Sequence, residues 1–244
     1  MLQHALFIAL ALLTLSEAAH LNLSGEKFDY FLLAQSCPQT SCWDLTENWQ
    51  NSGSSCTSCN KLSDSWSLHG LWPNRYNGNH PSNCDDETRF RPNSVNEALK
   101  HEMSLKWRTY KSGFTNQRFW SYEWKKHGTC AAGVPETNSI KKYVSKALNL
   151  LDTYNMKTLL QKANIQPGGS YEYNAVFNAI RNVLGVEGRL GCVKNPKNGE
   201  QYLFEAYICL DKSFRPINCV SYAGFPGCKH NKKVVYPKTL KSCH

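Results

Sequence analysis

Apolar positions along the chain fall into blocks whose spacing changes from place to place. Residues 28–35, FDYFLLAQ, are aromatic and aliphatic with little interruption, which predicts a buried strand. Trp66-Ser67-Leu68-His69 alternates and predicts a second strand that ends at Gly70. Helical spacing then takes over. Ser94-Val95-Asn96-Glu97 has the form of a capping box, and Val95, Leu99 and Met103 step down one face of the helix it opens. Residues 117–127 predict a further helix with Trp120 and Trp124 on a shared face. Asn138 is placed to cap a third, whose Ile140, Tyr143, Val144, Ala147, Leu148 and Leu151 turn inward. A fourth runs from Tyr171 to Leu184 and stops at Gly185. QYLFEAYICL, residues 201–210, alternates again, with Tyr202, Phe204, Ala206 and Ile208 on one side. Helices hold the middle and strands flank them. The expected fold is α+β, a central antiparallel sheet packed with several helices, rather than a regular βαβ alternation.

The first residues stand apart from this pattern. MLQHALFIALALLTLSEAA has an apolar run from Ala5 to Leu15 and then Ser16-Glu17-Ala18, the form of a secretory leader cut after Ala18 or Ala19. The run is shorter than the roughly 20 apolar residues a membrane span needs. The expected destination is the extracellular space or a lysosome- or vacuole-like compartment, with no membrane partner. Residues 19–244 contain no repeat, low-complexity tract or Pro/Gly/Ser-rich linker, and a chain that is 41% hydrophobic over its full length can fill a real core. One disulfide-crosslinked domain, monomeric and without an obligate protein partner, is the expectation.

All eleven cysteines lie beyond the leader: Cys37, Cys42, Cys56, Cys59, Cys84, Cys130, Cys192, Cys209, Cys219, Cys228 and Cys243. In an oxidising compartment they allow five disulfides and one thiol. The competing reading is a zinc ribbon on Cys37, Cys42, Cys56 and Cys59, which the compartment disfavours. Asn22-Leu23-Ser24 is a glycosylation sequon and agrees with secretion. The formal net charge of +9 suits a polyanionic partner, or solubility alone. The segment from Lys229 to His244, lysine-rich and without an acid, fits either.

Candidate chemistry concentrates in FWSYEWKKHGTC, residues 119–130. On a helix Glu123, Lys126 and His127 stand at i, i+3 and i+4 and share one face, beside the tryptophan stripe. A solvated ionic face is the plain alternative. In SWSLHGLWP, residues 65–73, His69 stands at a strand end, where one ring edge stays open. A satisfied core histidine is the alternative there. Two histidines on separate rigid elements are what proton transfer near neutrality needs. Such a pair predicts a bell-shaped rate profile.

The two segments together, HGLWP and FWxxEWxKHGTC, resemble the active-site segments of the ribonuclease T2 family of secreted, disulfide-bonded RNases. Phe31 to Gln35, Pro38 and Cys42 resemble the family's first core strand and turn, and residues 208–219 its carboxy-terminal hairpin. The resemblance covers nearly the whole chain beyond the leader. It implies cleavage of single-stranded RNA through the 2′-OH, with no cofactor or metal. In this likeness His127 is the general base, His69 the general acid, Lys126 the stabiliser of charge on phosphorus and Glu123 the residue that keeps the site aligned. It further implies that Gln35, Trp72, Asn74, Phe119 and Tyr122 meet substrate, with Trp72 stacking on a base. Asn74 stands where adenine-preferring members have Asp, and Tyr122 where the family has a third histidine. Implied disulfides are Cys84–Cys130, Cys192–Cys228, Cys209–Cys219 and Cys42–Cys59. Cys37 departs from the likeness, standing where the family commonly has Trp; pairing it with Cys56 leaves Cys243 over, and spacing does not decide that connectivity. Two other readings stay open at this point: a catalytically weak RNA- or glycan-binding effector on the same scaffold, and a metal-dependent secreted nuclease.

Overall fold

The computed structural model describes residues 27–47, 65–111, 113–196, 198–220 and 227–238. The leader, the Asn22 sequon, Cys56, Cys59 and Cys243 lie outside the described residues. In chain order the elements are β1 (Tyr30–Ser36), α1 (Pro38–Glu47), β2 (Ser67–Asn74), α2 (Glu97–Lys106) and α3 (Asn116–Lys126). A 3-10 turn (Gly128–Ala131), α4 (Ile140–Thr153), α5 (Met156–Lys162), β3 (Gly169–Tyr171) and α6 (Tyr173–Leu184) follow. Then come β4 (Arg189–Lys194), β5 (Gln201–Leu210), β6 (Pro216–Ile217) and β7 (Val234–Tyr236). The strands form one sheet in the order β2-β1-β5-β7-β3, with β4 and β6 also paired to β5. Its pairings are antiparallel except β5 with β7. This is the α+β architecture expected.

The sheet is covered on both faces, which is why β1 reads as an unbroken apolar run. Phe31 and Leu33 enter the large core that also holds Tyr143, Val144, Ala147, Leu148 and Leu151 of α4. Tyr30, Leu32 and Ala34 enter a smaller cluster on the other face, with Trp72, Tyr207 and Cys209. Two β-bulges interrupt this order. In the β1–β2 pairing Ala34 faces Gly70 and Gln35 faces Leu68, so His69 is the extra residue. In the β4–β5 pairing Gly191 faces Glu205 and Cys192 faces Leu203, so Phe204 is extra. A bulge switches which face the following side chains meet. The uniform alternation read through β5 therefore breaks: Leu203, Ala206 and Ile208 join the large core, while Tyr202 and Phe204 do not.

Helix ends differ from the sequence expectation by a residue or two, each for a capping reason. Asn96, not Ser94, caps α2 by accepting from Leu99 N–H at 2.9 Å, and Ser94 Oγ accepts from Arg91 N–H instead. Ser139, not Asn138, caps α4 through Lys142 N–H. Tyr171 belongs to β3, so α6 begins at Tyr173; Gly185 ends it in the left-handed conformation at φ 70°.

Three disulfides implied by the resemblance are formed: Cys84–Cys130, Cys192–Cys228 and Cys209–Cys219. Cys42 is also disulfide-bonded, to a partner outside the described residues. Cys37 corrects the expected pairing with Cys56. It is a free thiol, fully buried in the large core, and its backbone N–H donates to Phe204 C=O at 2.8 Å. Burial pushes the thiol pKa up to about 11. With Cys42 held in a disulfide, it is not available as a thiolate for the zinc quartet.

Gln35 is a second correction. It is fully buried, its Nε2 donates to Tyr154 C=O at 2.8 Å, and its Oε1 accepts from Met156 N–H at 3.0 Å. Both ends of the amide thus close the turn between α4 and α5, so neither is offered to substrate. Replacing Gln35 with Leu orphans two buried backbone groups, each worth about 1–3 kcal/mol. Urea denaturation of Gln35→Leu is expected to show a loss of about 2–4 kcal/mol with an unchanged slope.

Candidate active site

The bulge in β2 is the first device that builds the site. An extra residue lets His69 leave the ladder, and Trp107 Nε1 donates to its carbonyl at 2.7 Å, so the bulged backbone is satisfied. Tyr143 OH donates to Leu71 C=O at 2.6 Å and fixes the strand two residues on. Gly70 between them has a steric reason. A Cβ there would fall on Trp72 Nε1 and within 2.5 Å of Glu123 Oε2. Strand β2 and helix α3 meet at that point.

Helix α3 is the second rigid support. Thr115 caps its start, and its Trp120 and Trp124 are buried, as the pattern predicts. Their indole N–H groups donate to Trp107 C=O at 2.5 Å and Thr88 C=O at 2.8 Å. At its end the Cys84–Cys130 bridge and Asn83 N–H on Lys126 C=O (3.0 Å) tie the last turn to the loop before α2. Glu123 lies on the buried side of α3, only 1% exposed, rather than on a solvated ionic face. His127 is the C-cap residue, its N–H donating to Glu123 C=O at 2.9 Å.

These elements bring His69, Glu123, Lys126 and His127 around one indole. Trp72 Nε1 donates to Glu123 Oε2 at 2.8 Å. The Trp72 ring stacks on His127 with centroids 5.0 Å apart and meets His69 edge-on at 4.9 Å. His69 Nε2 lies 3.8 Å from Glu123 Oε1, and its side chain is 32% exposed. Phe119 packs beside it at 5.9 Å. Lys126 Nζ donates to Tyr122 OH at 3.0 Å, with Tyr122 half exposed.

Three residues depart from their expected contacts. Trp72 is only 8% exposed, with both imidazoles packed against it. Asn74 is buried and its Oδ1 accepts from Arg75 N–H at 3.0 Å, which holds the end of β2. Gln35 closes the α4–α5 turn, as above. The reading of the chain also missed Glu205. Its Oε1 accepts from His69 Nδ1 at 2.5 Å and from Ser36 Oγ at 3.2 Å, and Tyr207 OH donates to its Oε2. The signal was present in QYLFEAYICL, where one acid stands in an otherwise buried strand.

The two imidazoles are driven in opposite directions. Burial pulls His69 down, but the charge and hydrogen bond of Glu205, then the charge of Glu123, override it and raise the pKa to about 9. Burial also pulls His127 down, and here Lys126, His69 and His80 add to the effect, leaving about 2. His127 is therefore neutral and His69 protonated across the physiological range. Glu205 faces burial too, yet His69 and its hydrogen bonds hold it below the usual carboxylate range. Burial raises Glu123, with His69 opposing. His127 Nδ1 is buried without a hydrogen-bond partner. Among the described residues no group of three or more His, Cys, Asp or Glu side chains could hold a metal ion.

Comparison with known proteins agrees with this architecture. Residues 28–219 match the Ribonuclease T2 family. Extracellular ribonuclease LE of Solanum lycopersicum is 31% identical over 238 residues, covering 96% of this chain and 97% of its own length. Ribonuclease T2 of Homo sapiens is 32% identical over 216 residues, covering 87% of this chain and 78% of its own. Among solved structures, RNase NT in complex with 5′-AMP gives a TM-score of 0.73 at 27% identity, covering 87% of this chain and 99% of that one. Human RNase T2 gives 0.72 at 29% identity, with 86% and 98% covered. A family match across most of the chain, carried by relatives of nearly the same extent and fold, establishes that this protein belongs to the Ribonuclease T2 family and is an endoribonuclease.

Proposed function

We propose that the protein is a secreted, metal-independent endoribonuclease that cleaves single-stranded RNA by two-histidine transphosphorylation. His127 takes the proton from the 2′-OH, and the 2′-oxygen attacks the adjacent phosphorus. The bond from phosphorus to the 5′-oxygen breaks as His69 delivers its proton to that oxygen. The products are a 2′,3′-cyclic phosphate and a free 5′-OH. Lys126 offsets the negative charge that builds on the phosphorus oxygens. Glu123 anchors Trp72 and keeps the facing imidazole and phosphate oxygens in register. Since the nucleophile belongs to the substrate, the chemistry needs no metal-bound water, and DNA should bind without being cut.

The observation that carries this reading is the opposed protonation of the two rings packed on Trp72, the neutral one suited to accept a proton and the charged one to give it. Phe119, beside His69, is the better placed aromatic for a base, worth about 1–3 kcal/mol by stacking. Tyr122 supplies a neutral hydroxyl that already engages Lys126, so it adds no positive charge for phosphate. Secretion is supported by the leader-like run at the amino terminus and by the extracellular relative. Among the described residues no helix is long and apolar enough to cross a membrane.

In excess EDTA the purified protein is expected to turn a dinucleoside monophosphate into a nucleoside 2′,3′-cyclic phosphate. His69→Ala and His127→Ala should each lower kcat/KM by about 10²–10⁴. RNA binding without turnover would instead indicate an effector, and activity lost in EDTA a metal-dependent nuclease. The bell of kcat/KM against pH should be broad, its alkaline limb near pH 9 where His69 gives up its proton. A limb at the ordinary imidazole pKa of about 6.5 would contradict the assignment. Gly70→Ala pushes Trp72 and Glu123 apart, and stopped assays on the folded variant should show kcat lower by on the order of 100-fold.

A further inference from the structure

Nothing in the proposed chemistry requires a carboxylate on the far side of His69, yet one is built there. We infer that Glu205 is the positioning residue of the proton donor, its buried carboxylate holding His69 Nδ1–H so that Nε2 is the nitrogen turned to the scissile phosphate. The inference rests on His69 being the donor and goes beyond it, because it assigns what makes one of two similar rings the acid.

Geometry carries the argument. Glu205 is 4% exposed and sits on β5, a separate strand from His69. It reaches the imidazole because Glu205 pairs with Ser36 in the regular β1–β5 ladder, on the face of Tyr207 and Cys209, and the bulge in β2 turns His69, the extra residue, onto that same face. The carboxylate is held at both oxygens, by Ser36 Oγ on Oε1 and Tyr207 OH on Oε2, so its direction is set before His69 is added. With Nδ1–H engaged at 2.5 Å, the tautomer is settled and Nε2 carries the transferable proton.

The charged surroundings of His69 are few. Glu205 on β5 and Glu123 on α3 favour the imidazolium, while Lys126 opposes it and the neighbouring His127 is neutral. Arg189 of β4 pairs with Tyr207 in register and acts on that phenol rather than on the carboxylate. Glu205 contributes both charge and a hydrogen bond, so it is the main reason the ring stays protonated in spite of burial. No proton moves to Glu205 in the cycle. His69 Nε2–H goes to the departing 5′-oxygen, Nδ1–H stays on the ring against the carboxylate, and solvent reprotonates Nε2 after product leaves.

Glu205→Gln keeps an acceptor for Nδ1–H and removes the charge, so it separates positioning from packing. The His69 ring is followed by NMR titration of the imidazole in the full-length protein. Its pKa is expected to fall from about 9 toward the ordinary 6.5. The alkaline limb of kcat/KM for a dinucleoside monophosphate should move with it. The variant-to-parent ratio then drops about 30-fold between pH 5 and pH 8, the change in protonated fraction that these two pKa values imply. For a 3′-aryl phosphate ester, whose leaving group departs without a proton, the same ratio should be constant with pH. Tyr207→Phe, which removes one of the bonds that aim the carboxylate, should give a smaller shift in the same direction and guards against a Glu205→Gln protein that does not fold. An unchanged His69 pKa in both variants overturns the inference. A lowered pKa with an unmoved dinucleotide profile, or an equal pH-dependent loss on the aryl ester, overturns the donor role of His69 and with it that of Glu205.

Discussion

The spacing of the two imidazoles is set by a single indole. Trp72 is buried, its N–H is tied to Glu123, and His69 and His127 pack against it with ring centroids about 5 Å away. Two side chains that the proposed chemistry brings to one phosphodiester thus pack on a single rigid aromatic body instead of on flexible contacts. The indole can hold that place because β2 and α3 are each immobilised independently. Trp107 and Tyr143 bind the carbonyls of β2, and a disulfide clamps the last turn of α3. Positioning of this kind is the cheapest form of catalysis to lose, since displacements of about 1 Å can cost on the order of 100-fold in rate.

Spacing alone would leave two equivalent rings. Burial disfavours the charged form of both, so desolvation cannot distinguish them. The distinction comes from unequal neighbours. His69 lies between two carboxylates, whereas His127 has Lys126 beside it and His80 at 6.3 Å. Its Nδ1 is buried without a hydrogen-bond partner, so nothing there offsets the cost of charging the ring. Burial and Lys126 therefore keep His127 neutral, while Glu205 keeps the other ring charged.

Much of this was legible in the chain. Trp120 and Trp124 at helical spacing placed α3, and HGLWP with KHGTC located both imidazoles, because short motifs preserve local geometry. Glu205 was not found, although a lone acid in QYLFEAYICL was visible. Its partner is 136 residues away, and that partner turns to the same face only through the bulge in β2, which alternation does not encode. Gln35, Trp72 and Asn74 each carry a structural role that their residue type does not announce. Their residue types suit a ligand, but each is used inside the fold: an amide that closes a turn, an indole that serves as spacer, and a cap at a strand end. Cys37 shows that cysteine counting cannot tell a bridge from a thiol packed under a strand.

The same two shifts that divide the labour also tie folding to pH. His69 has a folded pKa near 9 against about 6.5 unfolded, so the native state binds the extra proton between these values. Its stabilisation is complete below 6.5 and is lost as pH rises through 9. His127 has a folded pKa near 2, so the unfolded chain is the better proton acceptor between 2 and about 6.5. Its neutral burial costs nothing extra above 6.5 and weighs increasingly as pH falls below. The two imidazoles together thus favour the fold most strongly around the ordinary histidine pKa, from opposite sides. The pH range in which the pair has the right protonation for transphosphorylation therefore contains the range in which it least burdens the sheet that holds it.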